Sequence, residues 1–233
     1  MKLVFEFTKT GNMIYISHLD LARLFLRVLR MSGLRPAYSQ GFNPHPKMSF
    51  ALPLAVGVHS TCELLEFEVD GGGCHSYAYI DEAVGIINGR LPEGVRVTTW
   101  REKPDGVTKS LASYAAAASY EIMCEGITDA PTKLAAFFAK ESVMAKKRDK
   151  KTGGYAEKEI RPQMLAYRII KDMRGRMLAE ATLSAASEAT LRPAAFFTAF
   201  CEASGLDSKE LSPVITRTAI LDAGSTPIIE VVK

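Results

Sequence analysis

Apolar and polar residues alternate from the start of the chain: Leu3, Phe5 and Phe7 stand against Val4, Glu6 and Thr8, which predicts a strand with one buried face. A Gly11-Asn12 turn follows, and Ser17 then opens a helix. Ser17 and Asp20 fit the S-x-x-D capping box, in which each side chain satisfies a backbone N–H at the helix start. Leu21, Leu24, Phe25, Val28 and Leu29 recur at helical spacing, while Asp20, Arg23, Arg27 and Arg30 line the opposite side, and Gly33 supplies a left-handed stop. After a loop, Glu63, Leu65, Phe67 and Val69 alternate with Leu64, Glu66, Glu68 and Asp70, and this strand ends in Gly71-Gly72-Gly73. A helix from Tyr77 to Asn88 and a strand from Val95 to Trp100 complete the half, which reads as the split βαβ or ferredoxin-like arrangement.

From Arg101 to Ala118 the periodicity lapses, so residues 104–118 are expected to be a linker. A second, less regular round follows: strand Tyr120–Cys124, helix Thr132–Lys140 and strand Ser142–Lys147. Leu165–Lys171 and Met177–Ala185 then read as a hairpin turning over Asp172-Met173-Arg174-Gly175, before a helix at Pro193–Ser204 and a strand at Val214–Leu221. The expected fold is therefore α+β: two tandem ferredoxin-like halves with antiparallel sheets, residues 1–103 and 119–233.

Composition bounds the function more than the fold. At 233 residues with 47% hydrophobic content, two small cores are within reach. The four cysteines lie far apart with no C-x-x-C pair, so neither a disulfide framework nor a metal nest is written in them. No stretch approaches the roughly 18 apolar residues of a membrane span, and the start has no signal-peptide core, so a soluble, cytoplasmic protein is expected, without membrane association. The net charge of +3 hides two basic zones. Residues 1–60 carry seven Lys/Arg against two Asp/Glu, and residues 140–176 carry twelve against five, in an otherwise acidic chain.

Residues 13–59 hold three of the four histidines, a stripe of arginines and a Gly/Asn/Pro-rich loop. One helix and one return loop would bring His18, Asp20, Arg23, Arg27, His45 and Lys47 to a shared face suited to phosphate. Arg23, Arg27 and Arg30, one helical turn apart, would form a phosphate rail, with Arg35 and Lys47 adding to the same field; the alternative is a solvated helix face. His18 stands in the first helical turn, where free N–H groups favour an anion, or it is a plain surface residue beside the cap. In Ser39-Gln40-Gly41-Phe42-Asn43-Pro44-His45-Pro46, the prolines stiffen a frame that carries Asn43 and His45. Phe42 either stacks on a base or anchors the loop in the core. Lys146, Lys147, Arg148, Lys150 and Lys151, before Gly153-Gly154-Tyr155, read as a basic loop or hairpin tip, either solvated or a phosphate clamp. His18, Asp20, His45 and His59 are metal-ligand types, but no HxH or HxxxH spacing supports a site; Cys74-His75 is weaker still. There is no GxSxG, P-loop or GxGxxG, and no cofactor is expected.

The runs Tyr15-Ile16-Ser17-His18-Leu19-Asp20 and Ala37-Tyr38-Ser39-Gln40-Gly41-Phe42-Asn43-Pro44-His45-Pro46-Lys47-Met48-Ser49-Phe50 resemble the radical-SAM-linked protein family, a domain of unknown function. Ile160-Arg161-Pro162, Leu191-Arg192-Pro193 and Thr216-Arg217-Thr218 follow in the order that the resemblance leads one to expect. It implies partnership with a radical SAM protein, since members stand beside or fused to such proteins with a cobalamin-binding-type region. The chain itself lacks the C-x-x-x-C-x-x-C of an iron–sulfur cluster. One position departs from the pattern: Glu159 stands where relatives look like a basic-Asp-Ile-Arg-Pro run. In architecture alone, tandem ferredoxin-like halves with a basic first helix look like the CRISPR repeat-processing endonucleases, which grip RNA.

The expected function is an RNA-binding accessory module that presents structured, tRNA-like RNA to a radical SAM partner in RNA modification. Two alternatives stand beside it. One is a metal-independent ribonuclease using His18 or His45 as general acid/base with Lys47 stabilising charge; the other is a protein-interaction scaffold for the radical SAM enzyme. The oligomeric state is not written in the sequence.

Overall fold

The first strand, β1 (Lys2–Lys9), buries more than the alternation implies: Leu3, Phe5 and Phe7 are covered on one face and Val4 on the other. A computed structural model describes residues 1–70, 76–148, 154–173 and 176–231, with only the backbone of Lys147, Arg148, Tyr155, Asp172 and Met173. Gly71-Gly72-Gly73, Cys74-His75, Lys150, Lys151 and the Arg174-Gly175 turn lie outside the described residues. The described chain is mixed α and β and falls into two units, Met1–Ala115 with Ala219–Lys233, and Ala116–Thr218.

In the first unit β1 leads through a 3₁₀ turn at Gly11–Tyr15 to α1 (His18–Ser32). Then come β2 (Met48–Phe50), β3 (His59–Glu68), α2 (Tyr77–Asn88) and β4 (Val95–Lys103). Both β3 and β4 pair antiparallel with β1, and β2 pairs antiparallel with β3. The cap of α1 forms only in part: the Ser17 hydroxyl accepts from the Asp20 N–H at 3.2 Å, but it also donates to the Asp20 carboxylate at 2.7 Å, so that carboxylate does not reach back to the backbone. Gly33 ends the helix at φ +90°, where a Cβ would be strained. Leu21, Phe25, Val28 and Leu29 of α1 and Ile80, Ala83 and Ile87 of α2 join Leu3, Phe5, Phe7, Leu65 and Phe67 in one core. Burying each large side chain contributes about 1.5–3 kcal/mol.

A second core lies against Val4, Cys62 and Leu64, so β3 is apolar on both faces at its centre. It takes in Leu111 and Ala115, from the segment expected as a linker, and Ile220 and Ile228 from the chain's return. Residues 103–111 are held by a buried polar knot: Lys103 Nζ donates to Glu66 at 2.6 Å and to the Lys109 carbonyl at 2.6 Å, and the other Glu66 oxygen accepts from the Leu111 N–H at 3.0 Å. The strand expected to end at Trp100 runs on to Lys103 because of this anchor.

The second unit runs β5 (Ala117–Glu125), α3 (Ala130–Phe138), β6 (Met144–Arg148), β7 (Tyr155–Glu159), β8 (Met164–Met173), β9 (Arg176–Ser184) and α4 (Pro193–Ala203). It closes with the first residues of β10 (Val214–Leu221), and a short α5 (Ile228–Val231) lies in the chain's return to the first unit. β9 pairs antiparallel with both β5 and β8, and the Thr218 hydroxyl of β10 donates to the Ser119 carbonyl of β5 at 3.4 Å. The core is aromatic: Phe137 of α3 meets Phe196 and Phe200 of α4 at centroid distances of 5.6 and 5.7 Å, and Phe138 stacks on Tyr167 at 4.3 Å. β6 and β7 form their own antiparallel ribbon, with Lys146 opposite Glu157.

Candidate nucleic-acid interface

The loop after α1 is a small hairpin laid on β3. Ser39 N–H donates to the His45 carbonyl at 2.8 Å, and the His45 N–H donates to the Ser39 hydroxyl at 2.9 Å, closing the stem around Gln40-Gly41-Phe42-Asn43-Pro44. Below it, Lys47 N–H donates to the Ala37 carbonyl, Ala37 N–H to the Glu68 carbonyl and Glu68 N–H to the Lys47 carbonyl, at 2.7, 2.7 and 3.0 Å. The tip therefore stands on a sheet-anchored base. Gly41 at φ +126° allows the turn. Phe42 is 108% exposed, so of the two readings of this residue the core anchor is not realised.

Two side-chain contacts tie this hairpin to α1. The Arg30 guanidinium donates to the Tyr38 hydroxyl and lies 5.7 Å from the centre of the Tyr38 ring. At the other end of the helix the His18 ring meets the Phe50 ring edge to face, at 4.9 Å, half-buried. Residues 38–50 thus run alongside the helix that carries Arg23, Arg27 and Arg30.

The basic residues are not equally available. Arg23 pairs with Asp20 at 3.0 Å, and the Ser17 hydroxyl together with that guanidinium holds the Asp20 carboxyl below its usual range. Lys47 grips both oxygens of Glu68, at 3.0 and 3.1 Å. Both pairs are solvent-screened, so a phosphate can displace either carboxylate at small cost. Lys9 is 1% exposed and donates to the Ile16 carbonyl at 3.1 Å, which removes it from the surface field. Arg27 and Arg35 are exposed, with no side-chain partner among the described residues. Asn43 and His45 are exposed beside Phe42. Sequence reasoning missed Tyr38, Phe50 and Glu68, the three residues that orient Arg30, His18 and Lys47; each is separated from its partner by a turn or a strand, and local periodicity does not report such pairs.

Among the described residues no three His, Cys, Asp or Glu side chains come together to hold a metal ion, so His18, Asp20, His45 and His59 do not form a set. In the second unit Lys146 is exposed on β6, and Lys147 and Arg148 follow on the same strand. Glu159, the departure from the expected acidic position, accepts from the Ser142 hydroxyl, from Val143 N–H at 2.9 Å and from Arg161 N–H at 2.8 Å, which hold its carboxyl below the usual range. Arg161 donates to the carbonyls of Lys140 at 3.0 Å and Met164 at 3.2 Å. This motif clasps a turn. Arg217 of the Thr-Arg-Thr segment is 1% exposed and so faces no solvent ligand.

No helix among the described residues is long and apolar enough to cross a membrane. No curated protein matches the chain. In fold it is similar to a chain in the crystal structure of a Cbf5-Nop10-Gar1 complex, with a TM-score of 0.51 at 8% identity over 94% of this chain and 48% of that one. A chain in the structure of an H/ACA RNP bound to a substrate RNA containing 2'-deoxyuridine gives a TM-score of 0.48 at 9% identity, over 94% and 47%. The chain thus spans about half the length of these solved chains, and at such identity the likeness concerns fold alone. The model of the family described as uncharacterized protein conserved in bacteria (DUF2344) matches residues 2–193, and the chain belongs to that family.

Proposed function

We propose that the protein is an RNA-binding accessory module, gripping structured, tRNA-like RNA through α1 and the 39–45 hairpin and presenting it to a radical SAM partner. The observation that carries this reading is Phe42: a fully exposed aromatic ring at the tip of a hydrogen-bonded, sheet-anchored hairpin. Such a ring adds nothing to the fold, and its use is stacking on an unpaired base. Asn43 and His45 beside it offer hydrogen-bonding groups to the base edge, while Arg27, Arg35 and the displaceable pairs of Arg23 and Lys47 meet phosphates. The radical SAM partner rests on the sequence resemblance alone.

The same proposal extends to the fold. Each unit passes through strand, helix, strand, strand, helix, strand once the β6–β7 ribbon is set aside as an insertion, and we read each pass as a split βαβ. On this reading the ribbon is a basic finger, with Lys146, Lys147 and Arg148 on one strand.

Charge reversal tests the interface. Arg23→Glu with Arg27→Glu is expected to weaken binding to a pool of small cellular RNA at least about tenfold and evenly across sequences, because phosphates carry no sequence information. Unchanged affinity would remove α1 from the interface. RNA cut in the presence of EDTA by the wild type, but not by His18→Ala or His45→Ala, would replace the accessory reading with the ribonuclease.

A further inference from the structure

A second surface of the first unit has the opposite chemistry. Between α2 and β4 lies an open groove of about 580 Å³ lined by Tyr77, Asp81, Val84, Trp100, Arg101 and Glu102, among others. Its walls are Tyr77, 62% exposed, and Trp100, meeting at 72° with ring centroids 5.4 Å apart. Each ring is tied to a carboxylate: Trp100 Nε1–H donates to Asp81 Oδ1 at 2.7 Å, and the Tyr77 hydroxyl donates to Glu102 Oε2 at 3.1 Å. The hydrogen bond to Glu102 raises the Tyr77 phenol above its ordinary value, so the phenol stays protonated and donates. The second oxygen of each carboxylate has no partner among the described residues. Arg101 does not neutralise them, since its guanidinium turns to the Thr99 hydroxyl at 3.2 Å and the Trp100 carbonyl at 2.9 Å.

The backbone is built to present this pair. Val97 pairs with Phe7, but Trp100 pairs with Phe5 and Glu102 with Leu3, because one extra residue of β4 enters between them. Thr98 marks the bulge, donating to the Glu6 carbonyl at 3.1 Å. Without it, strict alternation from Val95 and Val97 would turn Thr99 and Arg101 toward α2. With it, Trp100 and Glu102 face the helix. Asn88 then fixes the far end of α2 to β4 through two bonds with Val97, at 2.9 and 2.8 Å.

We propose that this groove is a docking site for a partner protein, taking an arginine side chain against the exposed outer surface of the contacting Tyr77–Trp100 pair, with Asp81 and Glu102 pairing its guanidinium. An exposed aromatic pair and two half-free carboxylates complement a planar cation and repel phosphate, so this face is not a further part of an RNA surface. Trp100 is the chain's single tryptophan and reports occupancy directly. The test titrates the full chain with acetyl-Gly-Arg-Gly-amide and with acetyl-Gly-Glu-Gly-amide while Trp100 fluorescence is followed. The arginine peptide is expected to give a saturable change that weakens at least about tenfold in Asp81→Asn with Glu102→Gln, and the glutamate peptide none. No saturable change with the arginine peptide, an equal response to the glutamate peptide, or an undiminished response in the double variant would overturn the proposal. So would small cellular RNA that changes the signal and competes with the arginine peptide. The comparison of the two peptides on the unaltered chain stands even if the double variant folds poorly.

Discussion

Phe42 and Lys47 lie five residues apart and illustrate opposite relations between sequence and surface. Phe42 makes no packing contribution at 108% exposure, so Phe42→Ala is expected to leave thermal stability within about 0.5 kcal/mol of wild type. The same change is expected to cost about 1–3 kcal/mol of RNA affinity, the range for losing one stacked base. Parallel melting and binding curves check both halves. Lys47, by contrast, is exposed but holds Glu68 until a phosphate displaces it. Glu159 shows a residue whose chemistry is wholly structural. Its carboxyl is held below the usual 4.5, chiefly by the Ser142 hydroxyl, then by backbone N–H groups. Its stabilising contribution is therefore present above that value and is lost as pH falls through the lower value of the folded state. Melting temperatures of wild type and Glu159→Gln are expected to differ at neutral pH and to converge in acid; a gap independent of pH would mean that the charge is not what the clasp uses.

Among the elements, the turn into β4 shows how a single backbone position holds a sheet together. Gly94 sits at φ +93°, and a Cβ there would collide with the Thr10 carbonyl, the residue whose N–H donates to Gly94 at 2.8 Å. Gly94→Ala is expected to destabilise the first unit by about 1–3 kcal/mol in urea unfolding, and more than Gly33→Ala, where the obstacle is the movable end of the Tyr79 side chain. The elements themselves were largely legible. Val214–Leu221 has the bounds its alternation implies, Gly33 stops its helix as expected, and the 164–184 hairpin lies where two apolar runs flank a turn. What was not legible depends on partners distant in sequence. The burial of Val4 and Leu64 needs a second core that residues 111–115 and 220–228 supply, and the bulge at Thr98 reverses an alternation that Val95 and Val97 begin. The β7 strand escaped notice because its Tyr-Ala-Glu-Lys-Glu pattern gains its sense only opposite β6.

For the molecule as a whole, the first basic zone counted along the chain becomes a smaller and more selective field in the folded protein. Lys9 is buried, Arg30 lies on Tyr38, and Arg23 and Lys47 hold exposed carboxylates, while Arg27 and Arg35 remain open. The candidate site was legible as a stretch of sequence because its residues are close in the chain. Its division into free and committed charges was not, because Glu68 and Tyr38 approach only through β3 and the hairpin stem. In the proposed function, phosphate contacts position the RNA and one ring stacks on it. The most direct measurement is equilibrium binding of small cellular RNA to the full chain at roughly 50 and 200 mM salt. The expected result is binding at the lower salt that falls steeply at the higher, with Phe42→Ala weaker at both; no binding at the lower salt, or binding indifferent to salt, would contradict it.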